Sequence, residues 1–244
     1  TAIMDAYRQS GVHTGYLEVV PDCTSSIATI LVRQADGARA IAYCPGNTAE
    51  FSPADVPAEA IAAARILHIN GRYPDACLRA CQIARQAGAK VSFDGGAQRY
   101  RPEIRPLVAL TDIGIVALDF ARQYTGHVEV DAAARALLAE GMELAVITDG
   151  VRGSWIYPRN GEPFHQPAFP QLDVVDTTGC GDTYHGAFLF GLASGWPLRE
   201  CARLASRVAA ENCRFLGGRG VLSILRDEGH AGLTSPYAAT TSHE

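Results

Sequence analysis

The sequence predicts an α/β fold in which a mostly parallel sheet is covered by helices on both faces. Short apolar segments such as ILHIN, KVSFD and ELAVIT alternate with longer helical segments from residue 53 onward. Several helical segments end at glycine, as at Gly88 and Gly141, which is typical of helix C-termini. The 244 residues are 48% hydrophobic and 19% charged, a composition that supports a sizeable core. Helices and strands that alternate in this way favour a layered, parallel arrangement.

The first part of the chain departs from this alternation. Residues 1–10 predict a helix. The segments SSIATILV (25–32) and AIAY (40–43) predict two strands joined by an Asp-Gly turn, which is a hairpin signal. We interpret residues 25–43 as a small lid hairpin within a single domain that spans residues 1–244.

The remaining elements follow in regular order. Ser52 and Pro53 predict the N-cap and first turn of a helix that runs to about Arg65. Beyond it we predict strands at 66–70, 90–94, 112–118, 143–148, 154–157 and 173–176, and helices at 74–88, 101–110, 131–141, 182–195 and 197–215. Because such sheets bind ligands at the carboxyl ends of their strands, residues that follow a strand are the first site candidates.

Composition and charge exclude several classes of function. The net charge is −5 and no long basic run occurs, so we expect no nucleic-acid partner. No apolar run reaches the ~18 residues of a membrane span. The seven cysteines include no CxxC pair, and Cys77 and Cys81, one helical turn apart, are interpreted as core residues. Reduced thiols indicate a cytoplasmic protein.

The segment VVDTTGCGDTYHGAF, residues 174–188, carries the strongest chemical signal. Gly179 and Gly181 flank Cys180, so consecutive backbone N–H groups can point into one hollow at the start of a helix. A helix N-terminus favours an anion such as phosphate. Asp182 at its edge would take a proton from an attacking hydroxyl, which indicates phosphoryl transfer to an alcohol. The alternative is that Asp182 only caps its helix and the glycines only form a tight turn.

These residues resemble a known family. DTTGCGD, residues 176–182, is similar to the D-T-x-G-x-G-D signature of the ribokinase-like (PfkB) carbohydrate kinases. GVHTGYLEVV with the hairpin resembles the family's lid region, VITDGVRGSWIY its nucleotide-binding strand and loop, and AENCRFLGGRGV its adenine and cation loop. The resemblance implies a three-layer, Rossmann-like sheet with a small β lid, and ATP-dependent phosphorylation of a sugar. Within the family, the sequence around this turn most resembles that of the ketose kinases, including sulfofructose kinase and ketohexokinase.

The resemblance also implies roles for single residues. Asp182 would be the catalytic base, and Gly179, Cys180 and Gly181 would form the anion hole. The other implied contacts are with ligands of three kinds: Asp176 and Thr178 with a monovalent cation, usually K⁺; Thr148, Gly150 and Gly153 with the phosphates and ribose of ATP; and Ser206 and Gly217 with adenine.

The sequence departs from the family pattern in two places. Ala117 and Phe120 occupy the Asn and Glu positions of the N-x-x-E motif that helps to organise Mg²⁺, and Asp119 is the only acid nearby to take its place. The chain also begins with TAIMDAYRQSG, without an initiator Met and as if within a helix. We therefore expect the family's first strand, its substrate-binding acid and its Gly-Gly-Asn segment to precede residue 1.

Four further residues are substrate-site candidates. Asp94 ends a predicted strand before two glycines and would contact the sugar or a water on Mg²⁺, or only cap its loop. Asn70 and Arg72 follow the preceding strand, and Arg72 would bind an anionic substituent or remain a solvated surface side chain. His185 follows the catalytic turn and is interpreted as a helix-face histidine in preference to a substrate contact.

The sequence as a whole predicts an ATP-dependent sugar kinase that uses Mg²⁺ and K⁺. An exposed lid strand also predicts a homodimer formed through the lid. Two alternatives stay open at this point: a nucleoside kinase, and a non-catalytic protein of the same fold that senses a sugar or nucleotide. The absent N-x-x-E pair favours the sensor, whereas the complete catalytic turn favours an enzyme.

Overall fold

The computed structural model describes residues 2–171 and 173–222. Their strands are β1 (Ile27–Val32), β2 (Arg39–Cys44), β3 (Ile66–Ile69), β4 (Lys90–Gly95), β5 (Ile113–Ala117), β6 (Leu144–Thr148), β7 (Ser154–Pro158) and β8 (Phe164–Gln166). Their α-helices are α1 (Ala2–Gln9), α2 (Ala58–Ala62), α3 (Pro74–Gln86), α4 (Arg105–Val108), α5 (Leu118–Thr125), α6 (Val130–Ala139), α7 (Cys180–Ala193) and α8 (Leu198–Asn212). Single 3₁₀ turns lie at Pro53–Asp55, Pro102–Ile104 and Gly150–Arg152.

Strands β3 to β8 form one six-stranded sheet in sequence order. The strands from β3 to β6 are parallel, whereas β7 and β8 are added antiparallel at one side. Crossover helices such as α3 and α6 join the parallel strands, as parallel pairing requires. The predicted mostly parallel α/β sheet is therefore confirmed.

Helices cover both faces of this sheet. Along β6, Ala145 and Ile147 belong to a core that includes α3, α5 and α6, while Leu144 and Val146 belong to a second core with α7 and α8. This alternation follows from the two-residue period of a strand. None of the helices in the described ranges is long and apolar enough to cross a membrane.

The hairpin of β1 and β2 forms a separate two-stranded sheet, as predicted. Its strands pair antiparallel, with Ile30 opposite Ile41. Most of its side chains are exposed, including those of Ile27, Leu31 and Tyr43.

The predicted helix from Pro53 to Arg65 is wrong as a single element. The chain makes one 3₁₀ turn at Pro53–Asp55, passes through Val56 in an extended conformation, and begins α2 at Ala58. Pro57 explains the break, because a proline has no N–H to donate and disfavours a helical residue before it. Ser52 is the N-cap of this first turn, as predicted, and both its N–H and its hydroxyl donate to the Asp55 carboxylate.

Two other predictions need correction. Residues 173–176 form no strand; the N–H groups of Val175 and Asp176 donate to the Cys213 carbonyl at 2.8 and 3.1 Å, so they are unavailable to a sheet partner. The last strand of the sheet is instead β8. Helix α5 was not predicted, although its buried Phe120 and Tyr124 lie one turn apart.

Candidate active site

The carboxyl ends of the parallel strands meet at one edge of the sheet. Ile69 pairs with Phe93, Gly95 with Val116, and Ala117 with Thr148, so the four parallel strands end close together. This alignment places the predicted residues Asn70, Asp94 and Thr148 along the same edge. The edge is the place where ligands bind in such sheets.

The turn before α7 is open at the position predicted for an anion. Gly179 is the N-cap with φ +72°, and α7 begins at Cys180, two residues before the predicted start. The first N–H groups of a helix have no intrahelical acceptor. Gly181 and Asp182 are both exposed, so these N–H groups and the Asp182 carboxylate are accessible from outside.

Gly179 is fixed by its close approach to a second loop. A Cβ atom at Gly179 would lie 2.5 Å from the Gly218 Cα and 2.9 Å from its carbonyl oxygen. Its positive φ is also unfavourable for any other residue. The signature glycine is therefore required by both its backbone conformation and its neighbour.

Asp176 joins the catalytic turn to the same loop. Its side chain is buried, and its two carboxylate oxygens accept the Thr178 N–H and the Gly217 N–H, each at 2.8 Å. Burial raises the pKa of Asp176, but the hydrogen bonds from Thr178 and Gly217 outweigh it and hold the pKa below its usual value. Asp176 is thus a charged clamp between residues far apart in sequence.

Thr178 offers an oxygen atom that suits a cation. Its Oγ1 is buried without a hydrogen-bond partner, while its carbonyl oxygen accepts the Asn212 side-chain N–H at 2.9 Å. Hard cations take oxygen ligands. The described residues contain no cluster of three or more His, Cys, Asp or Glu side chains able to hold a metal. The Thr178 hydroxyl is therefore an oxygen ligand that a cation could use, beside the Asp176 carboxylate.

The lid hairpin contacts the catalytic turn directly. The carbonyl oxygen of Gly37, at the tip of the hairpin, accepts the N–H of Thr177 at 3.2 Å and its hydroxyl at 3.0 Å. Arg39 donates to the carbonyl and hydroxyl oxygens of Thr177 at 3.0 and 2.9 Å. Gly37 is buried against Val174. The tip of the hairpin is therefore hydrogen bonded to the turn that precedes α7.

A polar cluster lies beneath the catalytic turn. Asp94 is buried and pairs with Arg99 at 3.1 Å, and its second oxygen is 3.7 Å from the His185 Nδ1. The His185 ring also stacks edge-to-face against His68. Burial lowers the pKa of His185 and of His68, and the carboxylates of Asp94 and Asp182 only partly offset this. The two imidazoles are therefore neutral near pH 7, which suits hydrogen bonding to hydroxyls.

Asn70 and Arg72 are oriented by local contacts. The Asn70 side chain accepts the Arg72 N–H at 3.1 Å, which closes a short turn after β3. The Arg72 guanidinium donates to the Tyr43 hydroxyl at 2.6 Å and lies against the rings of Tyr43 and Tyr73. Hydrogen bonds to the two tyrosines raise the pKa of Arg72. Arg72 therefore links lid strand β2 to the sheet.

The nucleotide candidates lie on two loops and one helix. Gly150 and Gly153 have φ of +53° and +87°, and Gly150 has open space where a Cβ would be. Thr148 ends β6 beside them. Gly217 is exposed in part and donates to Asp176, whereas Ser206 is buried within α8. The bare backbone of Gly150 can approach phosphates closely, whereas Gly153 is buried and its Cα faces the carbonyl of Gln166.

Comparison with known proteins identifies the family. The model of the pfkB family carbohydrate kinases matches residues 1–223. The chain belongs to this family. It is 29% identical to an aminoimidazole riboside kinase of Salmonella typhimurium, over 91% of this chain and 74% of that protein. It is 24% identical to mouse (Mus musculus) ketohexokinase, over 88% of this chain and 75% of that protein. The structure of Sinorhizobium meliloti adenosine kinase superposes with a TM-score of 0.79 at 27% identity, covering 93% of this chain and 73% of that one.

The family assignment makes this chain a phosphotransferase, and kinases of the family use ATP and Mg²⁺. The structure shows the surroundings of Phe120, one of the two positions where the chain departs from the family's N-x-x-E motif. Phe120 is fully buried and packs against Phe93, Tyr100 and Tyr124. The side chain of Phe120 is therefore part of the apolar core and offers no ligand atom to a metal ion.

Asp119, the nearest acid, is exposed and already engaged in hydrogen bonds. One of its oxygens accepts the Gln98 N–H at 2.8 Å and the Gln123 side-chain N–H at 2.9 Å. These bonds hold the loop that follows β4 against α5. Both hydrogen bonds are accepted by Oδ2 of Asp119, and neither is accepted by Oδ1.

Several residues of this kinase's site were not found from the sequence. Arg39, Gly37 and Asn212 all contact the catalytic turn, yet they lie 34 to 140 residues from their partners. The only sequence signal for these three residues is that they lie in glycine-containing segments or in segments that resemble the family.

Cys213 is a further residue that the sequence did not indicate. Its Sγ lies 3.1 Å from the Sγ of Cys180, and both side chains are partly buried. The hydrogen bond between the thiols lowers the pKa of Cys213 to about 7 and raises the pKa of Cys180. The first turn of α7 thus lies beside a second thiol from the end of α8.

Proposed function

We propose that this pfkB-family kinase transfers the γ-phosphoryl group of ATP to a hydroxyl of a ketose such as fructose or a fructose derivative. The observation that supports phosphoryl transfer is the pairing of an exposed carboxylate, Asp182, with the open N-terminal end of α7. The choice of a ketose rests on the sequence resemblance to ketose kinases and on the similarity to ketohexokinase. Asp182 accepts the proton of the attacking hydroxyl. The N–H groups of Gly179, Cys180 and Gly181 donate to the oxygens of the transferring group.

The surrounding residues orient the reactants and exclude water. Thr148, Gly150 and Gly153 bind the phosphates and ribose, and Gly217 and Ser206 lie toward the adenine. The lid hairpin, held by Arg39 on Thr177, excludes water from the transferring phosphoryl group. Such positioning supplies most of the rate in phosphoryl transfer.

Two ions belong to the proposal. Mg²⁺ neutralises charge on the phosphates of ATP. Thr178 Oγ1 and Asp176 are the proposed contacts for K⁺, which would order the catalytic turn. Replacing K⁺ by tetramethylammonium at constant ionic strength should lower the rate, and an unchanged rate would remove the monovalent cation from the proposal.

The acceptor site is proposed at the edge where Asp94, Asn70 and Arg72 lie. Asp94 and the neutral His185 would bind hydroxyls of the sugar, and Arg72 would guide an anionic substituent. A riboside or nucleoside is the second candidate acceptor, because an aminoimidazole riboside kinase matches at higher identity than ketohexokinase does.

We also propose that residues 1–244 act as one kinase domain and pair into a homodimer through the lid. The exposed apolar side chains of Ile27, Leu31 and Ile41 on the hairpin support this arrangement. Sedimentation of Leu31→Glu beside the wild type would test it. An unchanged molecular mass would contradict a dimer formed by this surface.

The test of the function is an assay of ADP formation with ATP, Mg²⁺ and K⁺. The purified full-length protein is offered ketoses, aldoses, sulfofructose and nucleosides, and is compared with Asp182→Asn. We expect turnover that depends on the acceptor and falls by about two orders of magnitude or more in the variant. Asp75→Asn, which changes an exposed acid in the first turn of α3, is the matched control and should keep full activity.

Two outcomes would contradict the proposal. ATP binding without turnover on any acceptor would favour a non-catalytic sensor. Turnover that survives in Asp182→Asn would remove Asp182 from the role of base while leaving the kinase assignment in place.

A further inference from the structure

We propose that Cys180 and Cys213 form a reversible disulfide that switches off the anion-binding turn under oxidising conditions. Their Sγ atoms are 3.1 Å apart, compared with about 2.05 Å in a disulfide. A movement of roughly 1 Å would therefore join them. The two residues are separated by 33 positions, so the bond would connect the first turn of α7 to the end of α8.

Neighbouring groups hold both thiols in place. The Cys213 Sγ contacts the Ala209 carbonyl at 3.4 Å, and the Asn212 side chain contacts the Cys180 Sγ at 3.8 Å. The backbone of Cys213 is fixed because its carbonyl oxygen accepts two N–H groups of the catalytic turn. Both side chains are only partly buried, so a small oxidant can reach them.

The chemistry balances with a hydroperoxide as the oxidant. One thiol attacks the peroxide oxygen, gives a sulfenic acid and releases an alcohol, or water when the oxidant is hydrogen peroxide. The second thiol then attacks the sulfenic sulfur, forms the S–S bond and releases water. Two thiols are oxidised and one peroxide is reduced, and a dithiol such as dithiothreitol reverses the change by exchange.

Two contacts of the turn would resist the movement. Gly179 already lies against Gly218, and Asp176 is tied to Gly217. Drawing the two sulfurs together must shift either the first turn of α7 or the loop after α8. A displacement of about 1 Å at a catalytic group can lower a rate ~100-fold. This loss of activity depends on the function proposed above, whereas formation of the bond does not.

The test treats the wild-type protein with hydrogen peroxide and then blocks the remaining thiols. Peptide mapping without reduction should show one peptide pair linked through Cys180 and Cys213. The turnover number should fall about tenfold or more and return with dithiothreitol. Cys213→Ala and Cys213→Ser should each keep the same activity before and after oxidation. Cys44→Ser, which removes an exposed thiol on the lid, should remain as sensitive as the wild type.

Two other results of this experiment would contradict the proposal. Sulfenic or sulfinic acid at these positions without a linked peptide would overturn the proposal. A linked peptide with unchanged turnover would overturn the switch. If the protein has no kinase activity at all, mapping still decides whether the bond forms, so failure of the proposed function is distinguishable from failure of this inference.

Discussion

The catalytic turn and the end of β5 lie near the same edge of the sheet, yet the two regions are built in opposite ways. The turn at residues 176–182 exposes Gly181 and Asp182 and keeps its backbone bare. The end of β5 leads into Phe120, which is fully buried in an aromatic cluster. The DTTGCGD segment therefore keeps its backbone open to solvent, whereas the side chain of Phe120 belongs to the apolar core. One edge of the sheet thus carries both an open turn and a closed aromatic cluster.

The largest effect on activity and stability is expected at Gly179, where the turn packs closely against Gly218. Gly179→Ala should abolish measurable turnover and destabilise the fold, because a Cβ would meet Gly218 in addition to the ~1–2 kcal/mol cost of a left-handed φ. Gly195→Ala is the control, since Gly195 has φ +75° with open space around it. Urea unfolding and ADP assays compare the two. Equal losses of stability would show that the Gly218 contact contributes nothing.

The clamp at Asp176 should give the next largest effect. Asp176→Asn places an N–H₂ group opposite one of two N–H donors and should lower the free energy of unfolding by about 1.5–3 kcal/mol at pH 7. The folded-state pKa is lowered, so the stabilisation is present above the ordinary value of 3.8 and is lost as pH falls below it. The difference in unfolding free energy between the two proteins should be constant from pH 7 to about pH 5 and begin to shrink as pH falls below 3.8. A difference that is also constant below pH 3.8 would contradict the charged clamp.

Removing the lid contact should have a moderate effect. Arg39→Ala loses two hydrogen bonds to Thr177, so the lid should close less completely and ATP hydrolysis without acceptor should rise relative to sugar phosphorylation. Arg39→Lys keeps the positive charge, so its rate of ATP hydrolysis without acceptor should lie between those of the wild type and Arg39→Ala. The ratio of ADP to phosphorylated sugar measures the effect. A ratio unchanged from the wild type would show that Arg39 does not help to exclude water.

The smallest effect is expected at the end of β5. Asp119→Asn should lower stability by about 1 kcal/mol, because its oxygen accepts two N–H groups. The Mg²⁺ concentration for half-maximal rate should stay unchanged if these bonds are its whole role. A shift of about tenfold or more would instead assign Asp119 to magnesium, as the sequence resemblance suggests. Glu143→Gln, which changes an exposed acid distant in sequence, is the control.

The sequence predicts best those features that depend on neighbouring residues. The hairpin, the parallel strands and the DTTGCGD turn are all local patterns, and each is present. The split at Pro57 was missed, although it too depends on neighbouring residues, because proline disfavours a helical conformation of the residue directly before it. Residues 173–176 have a strand-like composition, but tertiary hydrogen bonds to Cys213 prevail over that propensity.

The support of the site could not be predicted because it depends on long-range contacts. Arg39 reaches Thr177 across 138 residues, and Asn212 reaches Thr178 across 34. Nothing in the composition of either segment specifies these partners. The same holds for the Cys180 and Cys213 thiols, whose proximity follows only from how α7 and α8 pack.

The contacts between the catalytic turn and residues 213–218 have a consequence for synthesis of the protein. A ribosome makes the chain from the N-terminus, so the turn emerges before the carbonyl of Cys213 and the N–H of Gly217 that hold it. Until those residues have been synthesised, the Asp176 carboxylate lacks the hydrogen bond from Gly217, and Gly179 lacks its contact with Gly218. During synthesis, the contacts that hold residues 176–179 can therefore be complete only after residue 218 has been added to the chain.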